Sequence, residues 1–369
     1  MHRCPTLGSV HFFAGRAMNL TYKPDFDEAK KYWRAYWAGE ILDRPCASIK
    51  TLRDENNRPR GPRGVNGLSD PQAVLEEFDR WASAVLWLGE AVPYFTVNFG
   101  PDQYAAWLGS DLHHSSVDEQ TSWAVPIIKD YAAVDGMENP HGVWWDRMLD
   151  FLRQAAEFSE GKFLVGVPDL HSNMDALSAL RGPQDLCIDL MDVPEKVDAA
   201  IKTIRRSYAP VFEKIEEAGN MAGRGYIGLL PFYCEERFTV LQCDFACMVR
   251  PEHFRRWILP ALDEESAYLK HSVYHYDGPD ALVHLKDALS IPGIDAIQWI
   301  PGDGNPPQIE WMDLLLEIQK AGKGLYIGAS PEEVKIFHRT LRPERVMYDV
   351  WAASPQEAED LITWLKKNT

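Results

Sequence analysis

Apolar positions along the chain follow two different periods. Phe26, Ala29, Tyr32, Trp33 and Trp37 recur at helical spacing, as do Val74, Leu75, Phe78, Trp81, Val85 and Leu88. They predict helices over 26–39 and 72–89, each with one apolar face. Between them, residues 53–69 are rich in Gly, Pro, Arg and Asn and predict an exposed loop. From Pro93 onward, short apolar runs end in Gly, Pro, Asp or Asn and give way to longer helical segments, which is the pattern of βα units.

The strands this predicts are 94–98, 163–167, 225–230, 272–275, 296–300, 325–328 and 346–350, with 47–51 as an eighth. Intervening helices are predicted over 183–206, 251–271, 280–289, 308–321, 331–340 and 355–367, the second kinked where Pro260 removes a backbone donor. The last four strands begin roughly 20–30 residues apart, about the length of one βα unit in a closed barrel. The expected fold is therefore an α/β (β/α)8 TIM barrel with an N-terminal helical extension. Residues 1–17 are expected to be an extension or poorly ordered arm, 18–92 a helical segment packed on the barrel, and 93–369 the barrel itself. No Gly-x-Gly-x-x-Gly follows any predicted strand, which argues against a dinucleotide-binding sheet.

Charge and cysteine usage narrow the partners. The balance of 38 Lys+Arg against 55 Asp+Glu gives a net charge of −17, which repels nucleic-acid phosphates and anionic membrane surfaces. Six scattered cysteines do not make a disulfide framework. No apolar run approaches the roughly 18 residues of a membrane span. A cytoplasmic enzyme with a small-molecule substrate is the expectation.

Three segments carry a family resemblance: Leu180-Arg-Gly-Pro-Gln-Asp with its continuation to Asp192-Val-Pro-Glu195, Val249-Arg-Pro-Glu-His-Phe ending at Pro260, and Tyr274-His-Tyr-Asp-Gly278 followed by Ile294-Asp-Ala-Ile-Gln-Trp299. In order and spacing the chain from about 93 to 367 resembles the uroporphyrinogen decarboxylase superfamily, including its cobalamin-dependent methyltransferases. The resemblance implies a barrel with its site at the C-terminal strand ends, zinc as the metal, cobalamin carried by a partner corrinoid protein, and a homodimer. Two departures stand out. The Arg-rich motif that grips porphyrin carboxylates in the decarboxylases has no counterpart near Val97-Asn-Phe-Gly100. The zinc motif His-x-Cys of the methyltransferases is here His275-Tyr-Asp277, and Tyr348-Asp-Val-Trp351 stands where the distant Cys is expected.

His275 and Asp277 lie two apart at a strand end, so both side chains point the same way. An imidazole and a carboxylate suit a divalent ion with one further ligand and an open position, or a metal-free acid/base pair. Alternatively, the Asp caps a turn and the His fills a hydrogen-bond slot. Cys234, Glu235 and Asp244 follow the 225–232 run; Cys234 is a third metal-ligand candidate, Glu235 and Asp244 are catalytic candidates, and Cys247 reads as a core residue. Tyr348 joins the catalytic candidates. Asn98, Asp169, His171, Trp299 and Asp303 at strand ends are candidate substrate contacts, although Asp169 would also serve as a helix cap and Trp299, one of 13 Trp, as packing. His113 and His114 lie in a polar stretch and read as a solvated loop.

Three functions remain open on these residues. The first is a cobalamin-linked methyltransferase or demethylase component acting on a small methylated substrate. The second is a metal-independent lyase or decarboxylase of a small carboxylated molecule, with His275 and Asp277 as acid and base. The third is a non-catalytic barrel that binds a small molecule or a corrinoid.

Overall fold

A computed structural model describes residues 19–62, 64–115 and 121–369; the expected N-terminal arm of residues 1–17 lies outside them. The strands are β1 (Cys46–Leu52), β2 (Val85–Gly89), β3 (Tyr94–Phe95), β4 (Leu112–His114), β5 (Ser122–Ala124), β6 (Leu164–Val165), β7 (Phe238–Leu241), β8 (His271–Asp277), β9 (Ala296–Ile300), β10 (Gly324–Gly328) and β11 (Val346–Trp351). Seven of them form one sheet in the order β2-β1-β11-β10-β9-β8-β7, parallel except for the antiparallel edge strand β2. β3 and β6 form a separate parallel pair, and β4 with β5 a short antiparallel one.

The fold is thus mixed α/β with a parallel central sheet and many helices. Among the described residues no ladder closes eight strands into one ring. The predicted strand 225–230 is no regular strand: Tyr226 bridges Cys234, and Ile227 O accepts from Val167 N at 2.7 Å, which ties this segment to the end of β6. The sequence before residue 93 is more than a helical extension, because β1 sits inside the main sheet against β11. The helix predicted over 72–89 stops at Ala84, and its last turn is instead β2. Val85 and Leu88 fit a helical period, but Val85-Leu-Trp-Leu also has the branched and aromatic make-up of a strand, and pairing with β1 decides it.

Helix ends follow their caps. Asp70 accepts from Ala73 N at 2.9 Å and Pro71 opens the helix Pro71–Ala84. Ser330 and Glu333 form a capping box on Pro331–Thr340. Pro194 splits the predicted 183–206 helix into Pro183–Asp192 and Pro194–Arg206. Pro260 acts where expected, but the deformation takes the form of a π-helical turn over Phe254–Ile258, directly before the helix Leu259–Tyr268.

Register decides which side chains meet. Gln298 pairs with His275 on one side and with Tyr326 on the other, and Asp349 pairs with Gly328 and Ser48. Because alternate residues share a face, His275, Gln298, Tyr326, Asp349 and Lys50 form one belt on one side of the sheet. Tyr274, Tyr276, Trp299 and Tyr348 lie on the other, helix-covered side and are buried. Behind the start of β1, Arg44 and Glu90 form a buried two-pronged ion pair (2.6 and 2.8 Å), and the same carboxylate accepts from Ala47 N at 2.7 Å.

Candidate functional site

The parallel strands deliver polar residues to one end. Asp169 and His171 follow β6, Gln242 and Asp244 follow β7, and His275 and Asp277 close β8. One ligand atom each from Asp244, His275 and Asp277 lies within 4.8 Å of the others. Asp244 is drawn in by its backbone: the amides of Asp244 and Phe245 donate to the Asp175 carboxylate at 3.0 and 2.8 Å. His275 is oriented by Gln298, whose Oε1 lies 2.6 Å from Nδ1. With Nδ1–H donating to that carbonyl, Nε2 keeps its lone pair for a ligand or proton.

A second, deeper network backs this group. His171 Nε2 lies 3.1 Å from Asp169 Oδ2, and its Nδ1 lies 3.5 Å from Asp175 Oδ2 and 3.9 Å from Asp244 Oδ2. Burial works against charge on His171, but Asp169 and Asp175 outweigh it and hold the imidazole well above its ordinary pKa. Burial would likewise raise Asp169; the charges of His171 and His275 and hydrogen bonds from His171 and Gln242 keep it below its ordinary value instead. Asp244 is pushed up to about 6 by burial, then by Asp175 and Asp277, against the pull of His171 and His275. Its carboxylate is still 48 % exposed, so it remains open to a ligand or proton from solvent. His171, Asp175 and Asp244 line a cleft of about 270 Å³ together with Asp102, whose pKa burial raises.

Below this lies Glu265, buried and pushed up to about 8 by that burial. It accepts from Ser172 Oγ at 2.7 Å and from Asn173 Nδ2 at 3.3 Å, while Asn173 Nδ2 also reaches Gln242 O at 3.2 Å. Glu265 therefore joins the His171 loop to the end of β7.

The sequence candidates divide sharply. Asp169, His171, Asp244, His275 and Asp277 come together. Cys234 and Glu235 do not: they precede β7, at the opposite end of the sheet, where Glu235 pairs with Arg34 at 2.6 Å and burial pushes the Cys234 thiol up to about 12. Trp299 and Tyr348 face the helices, Trp299 against Trp311 and Tyr348 against His338. Asp303 is exposed in the turn after β9. Asn98 donates to Gly64 O and accepts from Gly100 N, anchoring a loop over a separate cavity. Cys247, expected in the core, is exposed. His113 and His114 lie on β4, which pairs with β5, His114 half-buried against Trp144. Gln298, Gln242, Asp175 and Asp102 were not singled out from sequence. Asp175 carried a readable signal, four residues after His171 at a helix start.

The donor set fits a divalent ion. Two carboxylates and an imidazole are ligands for zinc and other first-row metals, and three protein ligands leave a position for substrate. A cation between Asp244 and Asp277 would also relieve the repulsion that raises Asp244.

No protein-family model matches this sequence, and none of the curated proteins does. The fold is similar to that of a methyltransferase from Methanosarcina mazei, with a TM-score of 0.60 at 11% sequence identity, over 92% of this chain and 98% of that one. The protein therefore has a methyltransferase-like α/β fold. No helix among the described residues is long and apolar enough to cross a membrane.

Proposed function

We propose that this chain is the substrate-activating component of a corrinoid-linked methyl transfer, built on a (β/α)8-type barrel of the uroporphyrinogen decarboxylase superfamily. Asp244, His275 and Asp277 would hold a divalent metal, zinc in the first instance, and their approach to within 4.8 Å supports this reading most strongly. When bound, the metal supplies Lewis acidity toward a substrate heteroatom. The chain's own residues do the rest. Gln298 fixes the His275 ring, and Asp175 fixes the backbone that presents Asp244. The His171 imidazolium, held between Asp169 and Asp175, sets a fixed positive charge at the floor of the cleft. Asp244, pushed up to about 6 by burial and its acidic neighbours, would release its proton on taking up a cation, so metal binding weakens as pH falls through that value. The cleft of about 270 Å³ beside Asp244 has the scale of a small-molecule site, which suits a small methylated substrate. No Asp-x-His-x-x-Gly stands in the sequence, so the corrinoid would arrive on a partner protein.

The test is metal titration of the purified protein, followed by the absorbance change of methylcobalamin on adding candidate methyl acceptors. About one metal per chain, lost in His275→Ala together with methyl transfer, is the expected result. Failure to bind zinc, cobalt or manganese sinks the proposal.

One observation favours a second reading. The raised Asp244 beside a charged His171 is an acid/base arrangement that needs no metal, as in a lyase or decarboxylase acting on a small carboxylated molecule. Turnover undiminished by chelators would select it.

A further inference from the structure

A second cavity, of about 280 Å³, lies where β1 and β2 face β3, away from the metal-ligand cluster. Its walls include the rings of Trp81, Trp87 and Tyr94, and its polar groups include Lys50, Asn66 and Asn98. The belt of inward-facing residues places Lys50 on β1 beside Asp349 on β11, four strand steps from His275 in the sheet order. At a strand spacing of about 4.8 Å that is roughly 19 Å along the sheet, too far for a small ligand to touch both.

The cavity is built on a rigid frame. Asn66 and Asn98 clamp the loop to the end of β3: Asn66 Nδ2 donates to Thr96 O at 2.9 Å, Asn66 Oδ1 accepts from Asn98 N at 3.0 Å, and Asn98 Nδ2 donates to Gly64 O at 2.8 Å. Each amide group has a second proton beyond the one used here. At the polar end, Lys50 Nζ sits 2.7 Å from Asp349 Oδ1, with both side chains more than four-fifths buried. Tyr326 Oη donates to the other oxygen of Asp349 at 2.9 Å. The ion pair with Asp349 engages one side of the Lys50 ammonium, which carries three donors, so protons remain for a ligand on the cavity side.

We infer that this cavity binds a small planar aromatic carboxylate, with its ring against Trp81, Trp87 and Tyr94 and its carboxylate shared between Lys50 and the free amide protons of Asn66 and Asn98. Other ligand classes fit less well. A quaternary ammonium suits the aromatic walls but meets the Lys50 charge head-on. An uncharged aliphatic molecule leaves the ammonium desolvated and unpaired on its cavity side. A flat ring stacks on indole and phenol faces, and an anion gives Lys50 a charge-assisted partner. Asp349, directly behind, neutralises Lys50 in the absence of ligand. This inference is independent of the metal reading.

The test uses benzoate as probe, with benzamide and cyclohexanecarboxylate for comparison, titrated calorimetrically into the full chain. Benzoate should bind at least about tenfold tighter than either analogue, the difference expected for one charge-assisted contact or one stacked ring. Lys50→Met should erase the preference for benzoate over benzamide, while Lys50→Arg retains it. His275→Ala, which tests the metal site, should leave benzoate binding unchanged. Equal binding of benzoate and benzamide by the unmodified chain overturns the inference, as does benzoate binding by Lys50→Met at native strength. If Lys50→Met does not fold, the comparison on the unmodified chain decides alone.

Discussion

Gln298 accepts from His275 across two neighbouring parallel strands, with 2.6 Å between Oε1 and Nδ1. Register makes them partners, and the bond fixes which imidazole nitrogen faces Asp244 and Asp277. Removing an outer partner of a metal-bound histidine typically weakens metal binding about 10–100-fold. Gln298→Leu should therefore lower zinc affinity by that factor without abolishing it, whereas His275→Ala should abolish it. Competition against a colorimetric chelator measures both; equal affinity in Gln298→Leu and the unmodified chain refutes the assigned role.

The His171 cluster sets a pH limit on stability. Its folded pKa is raised, so its contribution is complete below the ordinary histidine value of about 6.5 and is lost as pH rises through the folded value. Asp169 is lowered, so its contribution is lost only as acid carries pH down through its folded value. His171→Gln should lower Tm at neutral pH and flatten its decline toward alkaline pH. Differential scanning calorimetry across that range checks this, and an unchanged alkaline slope would contradict it.

Glu265 works in the opposite sense from an ordinary paired carboxylate. With a folded pKa of about 8 against a usual value near 4.5, the native state holds the extra proton. Stability is lost progressively as pH rises between those values and levels off above the upper one. Glu265→Gln keeps a neutral acceptor for Ser172 and should show a shallower fall in Tm between about pH 5 and 8. A parallel pair of Tm–pH curves would show that Glu265 is not held neutral.

Breaking the Arg44–Glu90 pair should be costly. Glu90→Ala strands a buried guanidinium and removes the acceptor for Ala47 N. Loss of one partner in such a pair costs about 3–5 kcal/mol. Urea unfolding measures it; a loss below about 1 kcal/mol, typical of surface pairs, would mean the pair is solvated.

Much of the central sheet was legible because β9 to β11 are largely apolar runs with clean stops, whose predicted bounds fall within one residue of those observed; β8 runs two residues past its predicted end. β7 was missed because Phe238-Thr-Val-Leu241 is short and follows the longer apolar run 225–232, which drew the strand assignment to itself. In the site, the errors are errors of parity. Trp299 and Tyr348 were chosen at the right heights on the right strands, but each is one residue from the side chain that faces inward, Gln298 and Asp349. A strand buried on both faces has no hydrophobic alternation to show which residue points in. His275 and Asp277 escaped this because both are polar and share a parity. Asp175 is marked only by its spacing from His171; its bonds to the backbone of a segment about 70 residues later leave no trace in the sequence.

The pairing of β1 with β11 also bears on how the chain comes into being. Cys46 lies beside Met347 in register, so about 300 further residues must leave the ribosome after β1 before its parallel partner exists. Meanwhile β1 has β2 on one edge and no partner on the other, and an unpaired apolar strand edge invites association with other chains. The emergence of β11 therefore controls when β1 becomes safe from aggregation, and truncations just before residue 346 should be captured by chaperones rather than released folded.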